Sequence, residues 1–262
     1  MRVLPLPHIA GLVILSLLTL VPGCHRFFVP DMPAHKAVPA ETQVARFLKE
    51  NAQLPPYKGV GELHFYSGPE AWSMRGAWLG VPERKFRVET IGLAGQPGAR
   101  LICDGDACHF IYSENGCYRM VTSREANLRL LAGIDMDVTD LVVLLGGGIP
   151  VVAHDAAWMA DDAASAGPVL KMSRRFYGEV GRIYFSPDMA QVHKIEVFGF
   201  RGLKYRAQIV SVRTVDGYRV PDILEIENER AAFSLRVERA WFDVPYSPEA
   251  FVPWVPESNR CD

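Results

Sequence analysis

The hydrophobic residues of this chain follow three successive patterns. Ile9–Val21 is apolar apart from three small or hydroxyl residues, and it has the length of the core of an export signal rather than of a membrane span. In Glu41–Gln53 apolar residues recur at i, i+3 and i+4, which predicts a helix with one narrow apolar face. After Tyr57 the period changes to two, which is typical of half-buried β-strands.

The alternating pattern extends over most of the remaining chain. Trp72, Met74 and Trp78 share one face of a predicted strand, and Phe86 and Val88 share one face of the next. Turn dipeptides such as Asp-Gly and Asn-Gly separate many of these runs. We therefore expect about eleven or twelve antiparallel strands in two blocks. So many amphipathic strands must curl into a barrel or divide into a sandwich to bury their apolar faces.

Two predicted helices separate the two blocks of strands. Ser123–Leu131 begins with a capping serine, and Thr139–Leu145 ends at a run of glycines. The second helix is apolar on nearly all sides after Asp140, which predicts that other parts of the molecule enclose it. The Ala- and Asp-rich segment Ala153–Gly167 is predicted to be a surface loop. An apolar helix at this point favours a barrel, because it can cover the concave face of the sheet.

A cysteine follows the first apolar run. The sequence Val-Pro-Gly-Cys ending at Cys24 resembles a bacterial lipobox, in which the signal is cleaved before a cysteine that carries a diacylglyceryl group. This predicts residues 1–23 as a lipoprotein signal peptide and Cys24 as the acylated N-terminus. A signal anchor or an ordinary secretory peptide is the alternative. His25 stands where Asp commonly signals inner-membrane retention, so we expect the protein at the periplasmic face of the outer membrane, held by the proline-containing tether 24–40.

Charge and cysteine content narrow the possible functions. The chain has 28 Lys and Arg against 30 Asp and Glu and no basic cluster, so nucleic acid is not an expected partner. If Cys24 is acylated, four cysteines remain for disulfides in an exported protein. The turn between Cys103 and Cys108 would place them opposite each other in one hairpin, which favours a Cys103–Cys108 disulfide over a metal site. That pairing leaves Cys117 for Cys261.

The sequence lacks the common catalytic strings. It contains no Gly-x-Ser-x-Gly elbow, no His-Glu-x-x-His and no phosphate-binding loop. We therefore expect neither enzyme activity nor a cofactor or metal ion. An enzyme whose site has no recognisable motif stays as an alternative.

The order and spacing of these elements resemble the bacterial lipoprotein-localisation factors LolA and LolB, and the anchored LolB more closely because of Cys24. The resemblance covers about Thr42–Phe242 and has no invariant catalytic string. The segments that carry it are the N-terminal helix, the hairpin Arg75–Thr90 with its apolar-tipped loop Ile91–Gly95, the Leu-Leu-Gly…Pro pattern of Leu144–Pro150, and the C-terminal strands Val220–Asn228 and Phe233–Phe242. The cysteines, the Ala- and Asp-rich loop and the C-terminal tail depart from the LolB pattern.

The resemblance implies an unclosed antiparallel β-barrel, with helices lidding a concave apolar face that holds acyl chains. It implies a single barrel domain at 41–256, followed by a tail at 257–262. By pattern alone the apolar strand residues are ordinary core, whereas the resemblance makes them a lipid-binding wall. The expected wall consists of Trp72, Met74, Trp78, Phe86, Val88, Leu101, Phe110, Leu141, Leu144, Leu145, Phe233, Leu235 and Val237. Ile91 and Leu93 either form a membrane-contact loop or fold back onto the barrel.

The function that the resemblance implies is that of a monomeric, lipid-anchored periplasmic carrier. Its partners would be acylated lipoproteins or other lipids, the outer membrane reached through Cys24, and a periplasmic LolA-like donor. The principal alternative is a structural or protein-interaction lipoprotein whose barrel is filled by its own side chains. A carrier of another lipid is a further alternative.

Overall fold

The computed structural model describes residues 39–81, 85–92, 94–112, 117–162 and 165–253. Its first block contains α1 (Ala40–Ala52), β1 (Tyr57–Ser67), β2 (Glu70–Val81), β3 (Lys85–Gly92), β4 (Pro97–Asp104), β5 (Ala107–Tyr112) and β6 (Cys117–Thr122). The helices α2 (Arg129–Ala132) and α3 (Val138–Leu145) follow. The second block contains β7 (Ala156–Asp161), β8 (Pro168–Arg174), β9 (Gly178–Phe185), β10 (Val192–Gly199), β11 (Gly202–Val215), β12 (Tyr218–Glu227), β13 (Ala231–Phe242) and a 3-10 helix at Pro248–Phe251.

The thirteen strands of the described chain form one antiparallel sheet. Their order is β6-β5-β4-β3-β2-β1-β13-β12-β11-β10-β9-β8-β7, so the pair β1 and β13 joins the two blocks. β6 and β7 are the edges and are not paired with each other, which leaves the barrel unclosed. The predicted fold class, mainly β with an open barrel, is confirmed, with thirteen strands where eleven or twelve were expected.

The antiparallel pairing brings several hairpin turns to the same end of the sheet. Ser67 pairs with Glu70 in the β1–β2 hairpin, and the β3–β4 and β12–β13 turns lie at the same end. In the second block, the β8–β9 turn at Arg174–Gly178 and the β10–β11 turn at Gly199–Gly202 also lie there. We call this the hairpin end. The opposite end contains Tyr57 and Val81 of the first block.

Two glycines allow aromatic rings to lie flat on the inner face of β1 and β2. Gly59 is opposite Trp78, and Gly80 is opposite Tyr57. A Cβ atom at either glycine would lie only 2.4 Å from a ring atom of its partner. Both positions therefore require glycine for close packing rather than for turn formation. A register shift at Val60 adds to the local bend of β1.

One continuous hydrophobic core joins the helices to the inner face of the sheet. The Phe47 ring of α1 stacks on that of Phe185 in β9, with their centroids 6.1 Å apart. One turn further along α1, the Asn51 side-chain amide donates to the Ile149 carbonyl at 2.8 Å and accepts from the Ile149 N–H at 3.1 Å. These contacts fix α1 against the sheet and against the chain that follows α3, as expected for a helical lid.

Two local expectations were wrong. Ala156–Asp161, inside the predicted surface loop, is the short, Ala-rich edge strand β7, which pairs with β8. The predicted helix Ser123–Leu131 is reduced to the single turn α2. Asn127 explains this difference, because its side chain accepts from the Arg129 N–H at 2.9 Å and its amide donates to Asp135 at 2.8 Å. Such local side-chain bonds compete with helix formation.

The predicted signal peptide, Cys24, most of the tether and the C-terminal tail lie outside the described residues, so the domain boundaries stay predictions. Within the part of the chain that the structure describes, no helix is both long enough and apolar enough to span a membrane.

Candidate functional site

The helix α3 lies across the inner face and contacts both blocks of strands. Its Leu141, Leu144 and Leu145 side chains are buried in the core. The Tyr57 hydroxyl of β1 donates to the carbonyl of Val142 at 2.5 Å, and burial raises the pKa of this phenol, which therefore stays protonated. On the other side, the Tyr205 hydroxyl of β11 donates to the Asp140 carboxylate of α3. α3 is thus attached to the sheet by leucine packing and a small number of polar bonds.

The Asp140 carboxylate lies in the first turn of α3 and is half-buried. Burial raises its pKa to about 6; the hydrogen bond from Tyr205, at 2.9 Å, opposes this rise and the charge of Asp137 adds to it. Lys204, whose ammonium is 3.9 Å from Asp137, also lowers the Asp140 pKa. The charge of Asp140 therefore changes near pH 6, at the place where α3 meets β11.

A cavity of about 470 Å³ separates the helices from the strands of the first block, at the end of the sheet opposite the hairpin end. The C-terminal end of α1, the following segment, and one face of α3 form its helical side. Its lining consists of Asn51, Ala52, Leu54, Pro55, Tyr57, Val81, Cys103, Cys108, Ser123, Val138, Thr139, Val142 and Val143. Most of these groups are apolar, and the volume falls within the roughly 300–1,000 Å³ common for small-molecule sites.

A disulfide forms part of the cavity wall. Cys103 of β4 and Cys108 of β5 are bonded and lie directly opposite each other in the hairpin, as the sequence predicts. Their sulfur atoms are therefore not free thiolates available to a metal. Cys117 is also disulfide-bonded. Its predicted partner, Cys261, lies outside the described residues, so that pairing stays a prediction.

One polar atom of the cavity lining is buried without a partner. The Ser123 hydroxyl oxygen has no hydrogen-bond partner among the described residues. Buried hydroxyls are normally satisfied by protein or water, so Ser123 can hydrogen-bond to a molecule that enters the cavity. Thr139 is a second hydroxyl residue in the lining. The site thus combines an apolar wall with a few groups able to bind a carbonyl or ester oxygen.

The structure places most of the sequence-predicted wall in the solid core. Phe86, Leu101 and Phe110 have no exposed surface. Met74 and Val88 are half-buried against the same cluster. The other buried members are Trp78, Leu141, Leu144, Leu145, Phe233, Leu235 and Val237. None of these residues lines the cavity described above, and their role in lipid binding stays a prediction.

Trp72 differs from the other predicted wall residues because it is 38% exposed. Its ring stacks on Phe65, which in turn stacks on Phe233, so the aromatic residues continue from the core to the hairpin end. Ile91 is also exposed there, at 52%. Leu93, the other residue of the predicted membrane-contact loop, lies outside the described residues.

The sequence contains a signal for part of the cavity that our prediction does not use. Val138 and Val142 are one turn apart on α3, Val143 lies next to Val142, and all three line the cavity. The prediction assigns the ligand-facing role to Leu141, Leu144 and Leu145, which pack in the core and do not line the cavity. Tyr57 and Ser123 could not be found in this way, because their place in the lining depends on long-range packing.

Comparison with known proteins shows likeness in fold only. No protein-family model matches the chain, and no curated protein matches it in sequence. Among solved structures, an outer-membrane lipoprotein-sorting protein domain from Vibrio parahaemolyticus has a TM-score of 0.55 at 13% identity, covering 81% of this chain and 97% of that one. A LolA superfamily protein from Nitrosomonas europaea has a TM-score of 0.55 at 10% identity, covering 82% and 98%.

A third similar structure is a DUF1329 family protein from Desulfovibrio piger, with a TM-score of 0.53 at 10% identity, covering 81% of this chain and 95% of that one. The chain has the LolA-like fold. At these identities the likeness extends to the arrangement of strands and helices and does not assign a ligand.

Proposed function

We propose that this protein is a lipid-anchored envelope carrier that holds the acyl chains of lipoproteins beneath α3 and helps to insert them in the outer membrane. The observation that carries this proposal is the apolar cavity of about 470 Å³ between the helices and the inner face of an open sheet. An open sheet is suited to this task because its edge strands need not separate for a ligand to enter. In this role the protein catalyses no reaction.

The chemistry of the lining supports an acyl ligand. Valine methyl groups and the disulfide offer contact area without directed polar groups, which suits a flexible hydrocarbon chain. Ser123 offers one unpaired hydroxyl, which suits the ester or amide at the head of such a chain. Transfer needs no nucleotide, because an acyl chain moves downhill when its apolar surface leaves water.

The cellular setting of the proposal comes from the N-terminal sequence and the fold. Cys24 would attach the protein to the periplasmic face of the outer membrane, and a periplasmic LolA-like protein would supply the cargo. Support comes from the Vibrio structure of the same fold, which is described as an outer-membrane lipoprotein-sorting domain.

Photo-crosslinking in intact bacteria tests the cavity. Cells that express the full chain are fed a fatty acid with a photoreactive group and irradiated, and the crosslinked peptides are mapped by mass spectrometry. We expect crosslinks on the peptides that contain Tyr57 and Val142, both of which line the cavity. Label attached at Cys24 itself is on a different peptide and does not interfere.

The matched variants are Val142→Trp and Val210→Trp. The first fills the cavity and should lower the cavity crosslinks at least severalfold. The second adds the same side chain at an exposed position of β11 and should leave them unchanged. Crosslinks that persist in Val142→Trp, or that never involve the cavity peptides, would contradict the carrier proposal.

A second candidate function is that of a structural or protein-interaction lipoprotein with a filled barrel. The specific observation in its favour is that Phe86, Leu101 and Phe110 are fully buried by the protein's own side chains. The same experiment separates the two candidates, because a filled barrel gives no crosslinks that respond to Val142→Trp.

A further inference from the structure

Two hairpin turns of the second block expose phenylalanine side chains almost completely. Phe176, in the β8–β9 turn, is 93% exposed, and Phe200, in the β10–β11 turn, is 89% exposed. Tyr177, next to the first of these, is 58% exposed. Large apolar side chains that are this exposed add no burial energy to the fold. Two of them in neighbouring turns therefore mark an interaction site. We call Arg174–Gly178 and Gly199–Gly202 the aromatic tips.

The sheet topology places the aromatic tips side by side. β9 and β10 are antiparallel neighbours, with Gly181 opposite Val197. The turn that precedes β9 and the turn that follows β10 therefore lie at the same end of the sheet. Their centres are separated by about two strand spacings, roughly 10 Å. The two rings can thus contact one surface at the same time.

The backbone of the first turn is held in an uncommon conformation. Phe176 has a φ of 69°, in the left-handed region that bulky residues rarely adopt. The Asp155 carboxylate accepts a hydrogen bond from the N–H of Arg175 at 2.6 Å and so anchors the turn. The turn therefore presents the Phe176 ring to solvent by a defined geometry.

Arginines surround the exposed rings. The guanidinium groups of Arg174 and Arg175 lie 5.3 and 5.4 Å from the ring centres of Tyr177 and Phe176. Arg201 follows Phe200 in the second tip. Among the residues that the structure describes, no carboxylate forms an ion pair with these three guanidinium groups. The aromatic tips are therefore cationic as well as apolar.

We infer that the aromatic tips dock on a bilayer surface that contains anionic lipids. Phenylalanine with flanking arginine is the composition of segments that lie at the boundary of headgroups and acyl chains. Arginine adds attraction to anionic headgroups, and this attraction decreases with salt. A protein partner would instead favour a contiguous, well-packed patch around a central residue. The two tips are separate turns, and a fluid bilayer surface requires no shape complementarity.

The predicted tether is compatible with this orientation. Residues 24–40 can extend to roughly 55 Å, whereas a strand as long as β1 spans roughly 36 Å. An anchor at Cys24 therefore leaves either end of the sheet free to face the membrane. The inference concerns the end opposite the cavity and does not depend on what the cavity holds.

The test uses the full chain, as purified from membranes, reconstituted in vesicles of phosphatidylethanolamine and phosphatidylglycerol with brominated acyl chains. Phe176→Trp and Phe200→Trp each add one tryptophan to an aromatic tip, and the control Tyr246→Trp adds one beyond β13, at the opposite end of the sheet. Bromine quenches tryptophans that enter the acyl region, so we expect about a twofold loss of the added emission for both tip variants. The control should lose none.

Two further measurements complete the test. With neutral phosphatidylcholine, or at high salt, the quenching at the tips should decrease, because the arginine contribution is lost. Thermal melting verifies that each variant is folded, and Tyr177→Trp replaces Phe176→Trp if that variant is unstable. Tip emission that is quenched no more than the control, in folded protein, would overturn the inference; it would leave the photo-crosslinking of the cavity unaffected.

Discussion

The raised pKa of Asp140 predicts how the free energy of unfolding changes with pH. The Asp140 side chain lies at the start of α3, accepts a hydrogen bond from Tyr205 and has its pKa raised to about 6 by burial. In the unfolded chain the pKa of this group returns to its ordinary value of about 3.9. Between pH 4 and pH 6 the folded state therefore binds more protons than the unfolded state. The free energy of unfolding then falls as the pH rises.

The size of the effect follows from the difference between the two pKa values. About two pKa units correspond to roughly 3 kcal/mol, an upper value, because the carboxylate is only partly shielded from water. The stabilisation is fully present below about pH 4 and is lost once the pH has risen past about 6. Asp140→Asn removes the titration while keeping an oxygen that can accept from Tyr205.

The assay is urea unfolding of both proteins at several pH values between 4 and 8. The stability of the wild type relative to Asp140→Asn should fall by about 2–3 kcal/mol over this range, and comparing the two proteins cancels the other titrating groups. Asp137→Asn should make the fall smaller, because the charge of Asp137 helps to raise the Asp140 pKa. A difference that stays constant with pH would refute the assignment.

Two other changes test the inner face of the first block. Replacing Cys103 and Cys108 by serine should lower the free energy of unfolding by about 2 kcal/mol, the loop-closure value for so short a loop, in thermal melts. Equal melting of wild type and variant without reductant would contradict this. Gly59→Ala should cost about 1–3 kcal/mol because its Cβ would overlap the Trp78 ring, whereas Gly199→Ala, which meets only a flexible lysine chain, should be almost neutral.

The sequence was sufficient for the parts of the fold that depend on local pattern. Alternating residues such as Trp72, Met74 and Trp78 predicted strands whose inner faces are in fact apolar, and helical spacing predicted α1 and α3 within one residue of their bounds. β7 escaped prediction because an edge strand needs pairing on one side only and can be short and weakly patterned. The shortening of the predicted helix at Asn127 also escaped prediction, because a side chain that bonds to nearby backbone leaves no periodic signal in the sequence.

The candidate site was harder to predict than the fold, for a physical reason. An apolar residue on the inner face of a sheet can meet a ligand or another side chain, and both environments select the same residue types. Leu101 and Phe110 were therefore predicted to line a cavity, yet in the structure they are packed by other side chains and have no exposed surface. The position of the cavity depends on how α1 and α3 lie across the sheet, which is a long-range property.

The filled core and the proposed carrier function are compatible because α3 has few polar attachments to the sheet. If α3 moves away from the sheet to admit an acyl chain longer than the cavity, the bonds from Tyr57 to Val142 and from Tyr205 to Asp140 break. The bond to the Val142 carbonyl contributes roughly 0.5–1.5 kcal/mol net, and the bond to the charged Asp140 carboxylate contributes roughly 1.5–3 kcal/mol. Each methylene of the acyl chain that leaves water contributes roughly 0.8 kcal/mol. The acyl chain also replaces the contacts that the leucines of α3 lose when the helix moves. About six buried methylenes would therefore offset both bonds, so a long acyl chain can open the space that it fills.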